Sequence, residues 1–401
     1  MSHPYRNLPA YQYWPQAMTQ PAPGHINPAE GTALRIARHE AVVTLGSCFA
    51  QHLAREIHQA GFNYLVGEAA PAHLDAQTAQ AKQYGLFSAR YGNIYTARQA
   101  RQLLERAFRG FMPQEPAWQS KGRFYDPFRP SVEPEGFASQ EELLAERERH
   151  LQAVRAVFTQ AKWVIFTLGL TEAWRSKQDG AVFPQAPGVG GIGVFDSSRH
   201  EFVNFSVHEV IEDLTAFRAL LHEVNPNANL VFTVSPVPLA ATFESRHVWT
   251  STTYSKAVLR VAAEELLHRF GNVFYFPSYE IITSPAAGSR YYDDDLRTVT
   301  RVGVKHVMRV FFENCVDDTV SLSTIDQSSL REALEHDMEL LCDEAQLLDA
   351  GREPEVTQET FDEEAYLRLN PDVAEAVAAQ QFQSGWHHYT AHGRSEGRRI
   401  A

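Results

Sequence analysis

A chain of 401 residues with 44% hydrophobic and 21% charged content has the composition of an ordinary globular protein, long enough for one large domain and a smaller one. Its formal net charge of −13 argues against a general nucleic-acid binder, whose affinity comes from clustered Lys and Arg on phosphates. No apolar run is long enough to span a bilayer and the N-terminal MSHPYRNLPAYQYWPQAM has no apolar signal core, so a cytoplasmic protein is expected.

Residues 1–35, rich in Pro, Tyr and Gln, read as an extended arm on the main domain. The run Ala41-Val42-Val43-Thr44-Leu45 is β-type and predicts a first strand over 41–46; a helical pattern starts at Gln51. Between them lies the tight turn Gly46-Ser47-Cys48-Phe49-Ala50. A cysteine there meets free backbone N–H groups and the positive end of a helix dipole, which favour its thiolate. The alternative is a buried cysteine acting as a small hydrophobe. Thr96 to Phe108 predicts a second helix with Ala100, Leu103, Leu104 and Ala107 on one face, introduced by the turn-like Tyr91-Gly92-Asn93-Ile94-Tyr95. The stretch from Pro113 to Phe137, full of Pro, Gly and aromatics, reads as a long irregular loop of the kind that is usually functional.

A helix over 139–161 leads to the strand Trp163 to Leu168, which ends in Gly169-Leu170-Thr171-Glu172. After a Gly-rich loop come a helix from about Val207 to Val224 and a strand from Asn229 to Val234, ending in Ser235-Pro236. A helix from about Ser251 to Phe270, a strand from Val273 to Phe276 and a helix from about Thr300 to Glu313 complete the pattern. Apolar strands alternating with helices predict an α/β fold with a parallel sheet covered on both faces. Ligands in such sheets bind beyond the strand C-termini, so the Ser47-Cys48, Gly169–Glu172 and Ser235 loops are expected to converge on one pocket.

The chain then turns acidic and helical. We divide it into an arm (1–35), a main domain (36–316), an acidic helical linker (317–358) and a small helical module (359–401) in which Asn370-Pro371-Asp372 marks a helix start. About 40 residues build only a marginal core, so this module is expected to dock on a partner or on its own domain. Cys48, Cys315 and Cys342 are too few and too widely spaced for a disulfide framework. No CxxC, HExxH or phosphate-binding Gly loop is present, and His387-His388 lack a carboxylate or cysteine at ligand spacing, so neither a metal nor a nucleotide is expected.

Taken together and in order, LGSCFA, YGNIYTARQ, TLGLTEAW, TVSPVPL and YFPSYEI resemble the GSCFA family of the SGNH-type hydrolase and acyltransferase superfamily, over roughly residues 40 to 313. The resemblance implies a flavodoxin-like α/β/α sandwich whose first-block turn carries the nucleophile, here Cys48, with Ser47 as the alternative. It implies an oxyanion hole from Gly92, with Asn93 beside it, and from the third block, Gly169-Leu170-Thr171-Glu172, where Thr171 replaces an asparagine. The residue reading leaves Thr171-Glu172 equally open to a helix N-cap with a first-turn carboxylate. The last block, Asp-x-x-His in the superfamily, reads Asp295-Leu296-Arg297-Thr298, so the aspartate is kept and the histidine is threonine; His306, eight residues on, is the substitute candidate for the base. A thiolate depends less on a base than a serine hydroxyl does, which favours Cys48 over Ser47. The C-terminal YLRLNPDV…HHY…EGR is similar to a short helical unit of bacterial surface-glycan proteins.

The expected activity is acyl transfer or ester hydrolysis, O-acetyl transfer above all, on a bacterial surface-polysaccharide precursor or related sugar. No cofactor is bound permanently, acetyl-coenzyme A is the candidate donor and a carbohydrate hydroxyl the acceptor. The missing histidine and asparagine keep a second reading open, a glycan-binding or scaffold protein that retains the fold without the chemistry.

Overall fold

The computed structural model describes residues 3–317 and 361–393, with the single positions 347, 358, 396 and 398. The chain divides into two compact units, Met1–Leu347 and Leu348–Ala401. In the first, the strands are β1 (Val42–Gly46), β2 (Trp118–Ser120), β3 (Arg123–Tyr125), β4 (Trp163–Leu168), β5 (Glu172–Ser176), β6 (Val182–Phe183), β7 (His200–Asn204), β8 (Asn229–Val234) and β9 (Val273–Tyr275). The helices are α1 (Phe49–Gln59), α2 (Ala76–Ala81), α3 (Ala97–Phe108), α4 (Gln140–Gln160), α5 (Val207–Val224), α6 (Val248–Arg269), α7 (Ser278–Ile282) and α8 (Arg301–Cys315).

Four strands pair in parallel in the order β1-β4-β8-β9. Beside β1, Val42 bridges Tyr64 in parallel: the Val42 N–H donates to the Asn63 carbonyl and the Leu65 N–H to the Val42 carbonyl. With that bridge as a vestigial second strand, the order is the 2-1-3-4-5 of a flavodoxin-like sandwich. All of β1 and β4 and all but the first residue of β8 are buried because both faces are covered, and these buried residues are apolar except for Thr44, Thr167 and Thr233. Val43, Leu45, Val164, Phe166, Leu168, Leu230, Phe232 and Val234 pack with α3, α4, α5 and α6 in one core. The alternate residues Val42, Trp163, Ile165 and Val231 pack with α1, α7 and α8 in the other. A period of two along each strand thus feeds two separate cores.

Two features depart from the sequence expectations. Thr171-Glu172 does not start a helix: Glu172 opens β5, which pairs antiparallel with β6 and β7 in a small second sheet. The stretch 113–137 is not irregular throughout, for it contains the β2–β3 hairpin. A buried ion cluster pins this stretch to α4. Asp126, fully buried, accepts from Arg129 Nε (2.9 Å) and from Arg147 Nη2 (2.9 Å) and Nε (3.1 Å); Arg129 also pairs with Glu146. Glu146 and Glu133 in turn accept from Arg90, each at 2.9 Å.

His150 extends this cluster, its Nδ1 lying 2.7 Å from a Glu68 carboxylate oxygen. Burial, reinforced by Arg129 and opposed by Glu68, pushes the His150 pKa down to about 4; burial and Arg55 push His52 down to about 3. Both rings are therefore neutral in the fold and become charged in the unfolded chain below pH ~6.5. The unfolded state then binds more protons, so stability falls with falling pH, by up to about 1.4 kcal/mol per pH unit for each histidine, between ~6.5 and their folded values. Urea midpoints measured from pH ~7 down to ~4.5 check this; a flat profile contradicts it.

The N-terminal arm forms short 3-10 and π turns rather than a wholly extended segment. Its later part buries Ile26, Ala29, Leu34 and Ile36. Ile36 bridges Val316, Arg35 Nη1 donates to the Asn314 carbonyl (2.6 Å), and Arg309 on α8 donates to the Gly24 carbonyl.

The acidic linker lies almost entirely outside the described residues. In the second unit, the short helices Glu363–Leu369, Pro371–Ala378 and Gly385–His388 surround the buried Tyr366, whose hydroxyl meets His388 Nδ1 at 3.0 Å. Asn370 and Pro371 start the second of these helices, as the sequence implies. Among the described residues no helix is long and apolar enough to cross a membrane.

Candidate active site at the β1–α1 turn

Gly46 has φ +143°, and a Cβ there would press on the Thr167 carbonyl and lie 2.8 Å from Thr167 Cβ, so only glycine lets the end of β1 rest on β4. Ser47 follows, its N–H donating to the Thr167 carbonyl at 3.2 Å. Cys48 is the N-cap of α1. The Ala50 and Gln51 N–H groups close back onto the Ser47 and Cys48 carbonyls (2.8 and 3.1 Å), so the N–H groups of Cys48 and Phe49 stand at the open, positive end of the helix. The Ser47 hydroxyl is buried and has no hydrogen-bond partner. Native proteins rarely leave such a group unpaired without a reason.

The end of β4 meets this turn closely. A Cβ at Gly169 would fall 3.0 Å from Ser47 Cβ and 2.9 Å from the Tyr95 carbonyl, which accepts from the N–H groups of Gly169 and Leu170, each at 3.0 Å. Tyr95 is itself fixed by its N–H bond to Gln99 Oε1 (3.1 Å), the side chain that also completes the Thr96–Gln99 capping box of α3. From α6, Ser255 accepts the Thr171 N–H (2.9 Å) and Lys256 donates through Nζ to the Gly169 carbonyl (2.6 Å).

A small, half-open cleft results, lined by Ser47, Cys48, Tyr95, Gly169, Leu170, Ser235, Val237, Pro238, Leu239 and Lys256. The three strand-end loops meet here. Of the sequence candidates, Ser47, Cys48, Gly169 and Ser235 line it. The sequence reading missed Tyr95 and Lys256. A signal for Lys256 existed: it shares a helical stripe with Leu259 and Ala263, both buried, and a lysine on an apolar stripe is out of place unless it has a task.

The other candidates lie elsewhere. Gly92 makes a left-handed turn (φ +69°), and Asn93 Oδ1 accepts from Gln51 Nε2 of α1 at 3.2 Å; neither lines the cleft. The Thr171 hydroxyl donates to Asn204 Oδ1 (2.7 Å), which commits its hydrogen away from an oxyanion. Glu172 accepts from the Thr242 hydroxyl (2.7 Å) and the Phe243 N–H (3.2 Å), and burial raises its pKa. Asp295 accepts from the Thr298 hydroxyl (2.6 Å) and from the Arg297 and Thr298 N–H groups (2.8 Å each). Its burial would raise its pKa, but these bonds outweigh that and hold it lower. Its loop does reach the cleft's rim, because Tyr292 and Arg297 donate to the Pro236 and Pro238 carbonyls.

His306 is not placed as a base. Its Nε2 donates to the Ile26 carbonyl (2.8 Å), its Nδ1 faces the Tyr291 hydroxyl (2.7 Å), and burial lowers its pKa, so the ring is a neutral bridge between α8 and the arm. His306→Ala is expected to lose about 1–3 kcal/mol of stability in denaturant titration, from two buried partners left unmet, with iodoacetamide labelling of Cys48 unchanged in the folded fraction.

Residues 41–311, about two thirds of the chain, match the profile of the GSCFA family. The chain belongs to the GSCFA family. No curated protein matches it. The match begins at β1 and ends within α8, so it spans the whole of the parallel sheet and every residue lining the cleft of this GSCFA protein. Among the described residues no cluster of three or more His, Cys, Asp or Glu side chains is arranged to hold a metal ion.

Proposed function

We propose that this GSCFA protein is an SGNH-like acyltransferase or esterase that carries an acyl group, acetyl above all, on Cys48 and passes it to a hydroxyl of a bacterial surface-polysaccharide precursor or related sugar. The reading rests chiefly on one observation: Cys48 and Ser47, whose buried hydroxyl has no partner, line a cleft at the strand C-termini beside the positive end of α1. A thiolate there attacks an acyl carbonyl, and the resulting oxyanion meets the N–H groups at the start of α1. Because Thr171 is committed to Asn204, the Ser47 hydroxyl is the side-chain donor best placed to add to them. The cleft leaves little room, which favours a short acyl group over a long one. Acetyl-coenzyme A is the proposed donor; sugar and donor alike come from the family resemblance, to which the cleft adds only its size.

The test is to incubate the protein with acetyl-coenzyme A and weigh it intact. The gain of one acetyl group, removed by hydroxylamine, supports a thioester at Cys48; an unchanged mass in the wild type and in a slow-turnover variant counts against it. The second reading, a scaffold without chemistry, draws on the bonds that hold Thr171 and Asp295 within their own surroundings and on the lack of a histidine in the cleft. It gains if Cys48 proves inert to both acyl donors and alkylating agents.

A further inference from the structure

If Cys48 is the acyl carrier, it needs a group to hold and move its proton, and none of the ten residues lining the cleft is a histidine or a carboxylate. We propose that Lys256 is that group, so that the catalytic unit of this protein is a cysteine–lysine pair. This inference rests on the acyl-transfer reading and deepens it.

Three observations converge. Lys256 lies in the middle of α6 and is only 3% exposed, a burial that lysine almost never shows unless its amine is held by partners. Its Nζ is anchored at the cleft by the 2.6 Å bond to the Gly169 carbonyl, at the end of the strand next to β1. The neighbouring Ser255 fixes the same stretch of helix by accepting the Thr171 N–H, so the amine is delivered on a rigid element tied at two points to the loop that faces Cys48. The cleft it lines is the one that Ser47 and Cys48 line.

The proton then moves as follows. Cys48 and Lys256 share one proton, and its transfer from Sγ to Nζ gives a thiolate beside an ammonium. The thiolate attacks the carbonyl carbon of an acyl thioester; the carbon–sulfur bond to the leaving thiol breaks, and that thiolate takes the proton from Lys256. In the second half the acceptor hydroxyl attacks the Cys48 thioester, gives its proton to the Lys256 amine and expels the Cys48 thiolate. The cycle closes with the starting pair. Neither an oxidant nor a metal enters the balance. The other titratable or charged groups at the cleft are the Tyr95 phenol, which lines it, and Arg297, which reaches its rim through the Pro238 carbonyl. Arg297 is the control.

Iodoacetamide alkylation of Cys48, followed by intact mass, measures thiol activation independently of any acyl donor. Lys256→Met, which keeps much of the stem, is expected to slow alkylation at about pH 7 by at least tenfold, with the deficit shrinking by about pH 9 as hydroxide does the lysine's work. Arg297→Gln is expected to change the rate by less than about threefold, as for a charge at the rim. Lys256→Arg separates the two tasks: a permanent cation still supports the thiolate but cannot give up its proton, so alkylation persists while acyl transfer falls at least tenfold. Unchanged alkylation in Lys256→Met overturns the pair. If that variant does not fold, Lys256→Arg with both alkylation and transfer unchanged overturns it equally. Because alkylation needs no acyl donor, failure of acetyl-coenzyme A to label the wild type removes the acyl reading without deciding the fate of Lys256.

Discussion

Cys48→Ala is expected to abolish acyl-enzyme formation and to lower transfer by at least about a thousandfold, the scale of removing a nucleophile from a unit that acts together. Ser47→Ala is expected to keep the acyl-enzyme but to slow its formation by about a hundredfold, the loss typical of one oxyanion donor. Paired single-turnover measurements with acetyl-coenzyme A separate the two. The structural reason for the asymmetry is that Cys48 stands at the N-cap position of α1 while Ser47, one residue before it, also lines the cleft and has a buried hydroxyl without a partner. Label retained in Cys48→Ala and lost in Ser47→Ala would exchange the two roles and make the serine the nucleophile.

Asp126→Ala is expected to have the largest effect on stability, a loss of about 3–5 kcal/mol, because it leaves the Arg129 and Arg147 guanidinium groups buried without their shared carboxylate. Glu146 stays paired with Arg129, which keeps the loss below that of two isolated charges. Urea unfolding at about pH 7 gives the number; a loss under about 1 kcal/mol contradicts the account. Since the same cluster holds the 113–137 stretch on α4, the variant should also become cleavable there under limited proteolysis before the sheet unfolds.

The sheet was readable because each central strand is a short, mainly apolar run between helical patterns, and doubly covered strands produce that signature. The turn at Gly46-Ser47-Cys48 was readable for a related reason: small residues accumulate where a strand ends against its neighbour, and the contacts awaiting a side chain at Gly46 or Gly169 show how little space is left. The small antiparallel sheet was not readable. Its strands β5, β6 and β7 are only two to five residues long, and Thr171-Glu172 has the composition of a helix cap as much as of a strand start. Tyr95 and Lys256 were harder to find, since Tyr95 sits in the turn-like segment before α3 and Lys256 on α6, and each reaches the cleft from a part of the chain distant from Cys48. His306 misled because proximity in sequence to Asp295 stood in for proximity in space. The arm that takes up its Nε2 is 280 residues away in the chain.

That contact has a practical consequence for anyone wishing to isolate the GSCFA domain. The stretch recognisable as family begins at residue 41, yet Ile26, Ala29, Leu34 and Ile36 belong to the hydrophobic interior, and the Gly24 and Ile26 carbonyls are partners for Arg309 and His306. A chain begun at residue 41 would therefore strip one side of α8, leaving apolar surface in contact with water and two polar side chains without their acceptors. Its expected behaviour is self-association and loss of cooperative melting, whereas a chain begun near residue 22 should melt like the whole. The boundary drawn by sequence kinship and the boundary drawn by folding are two different lines, and only the second one yields a working piece.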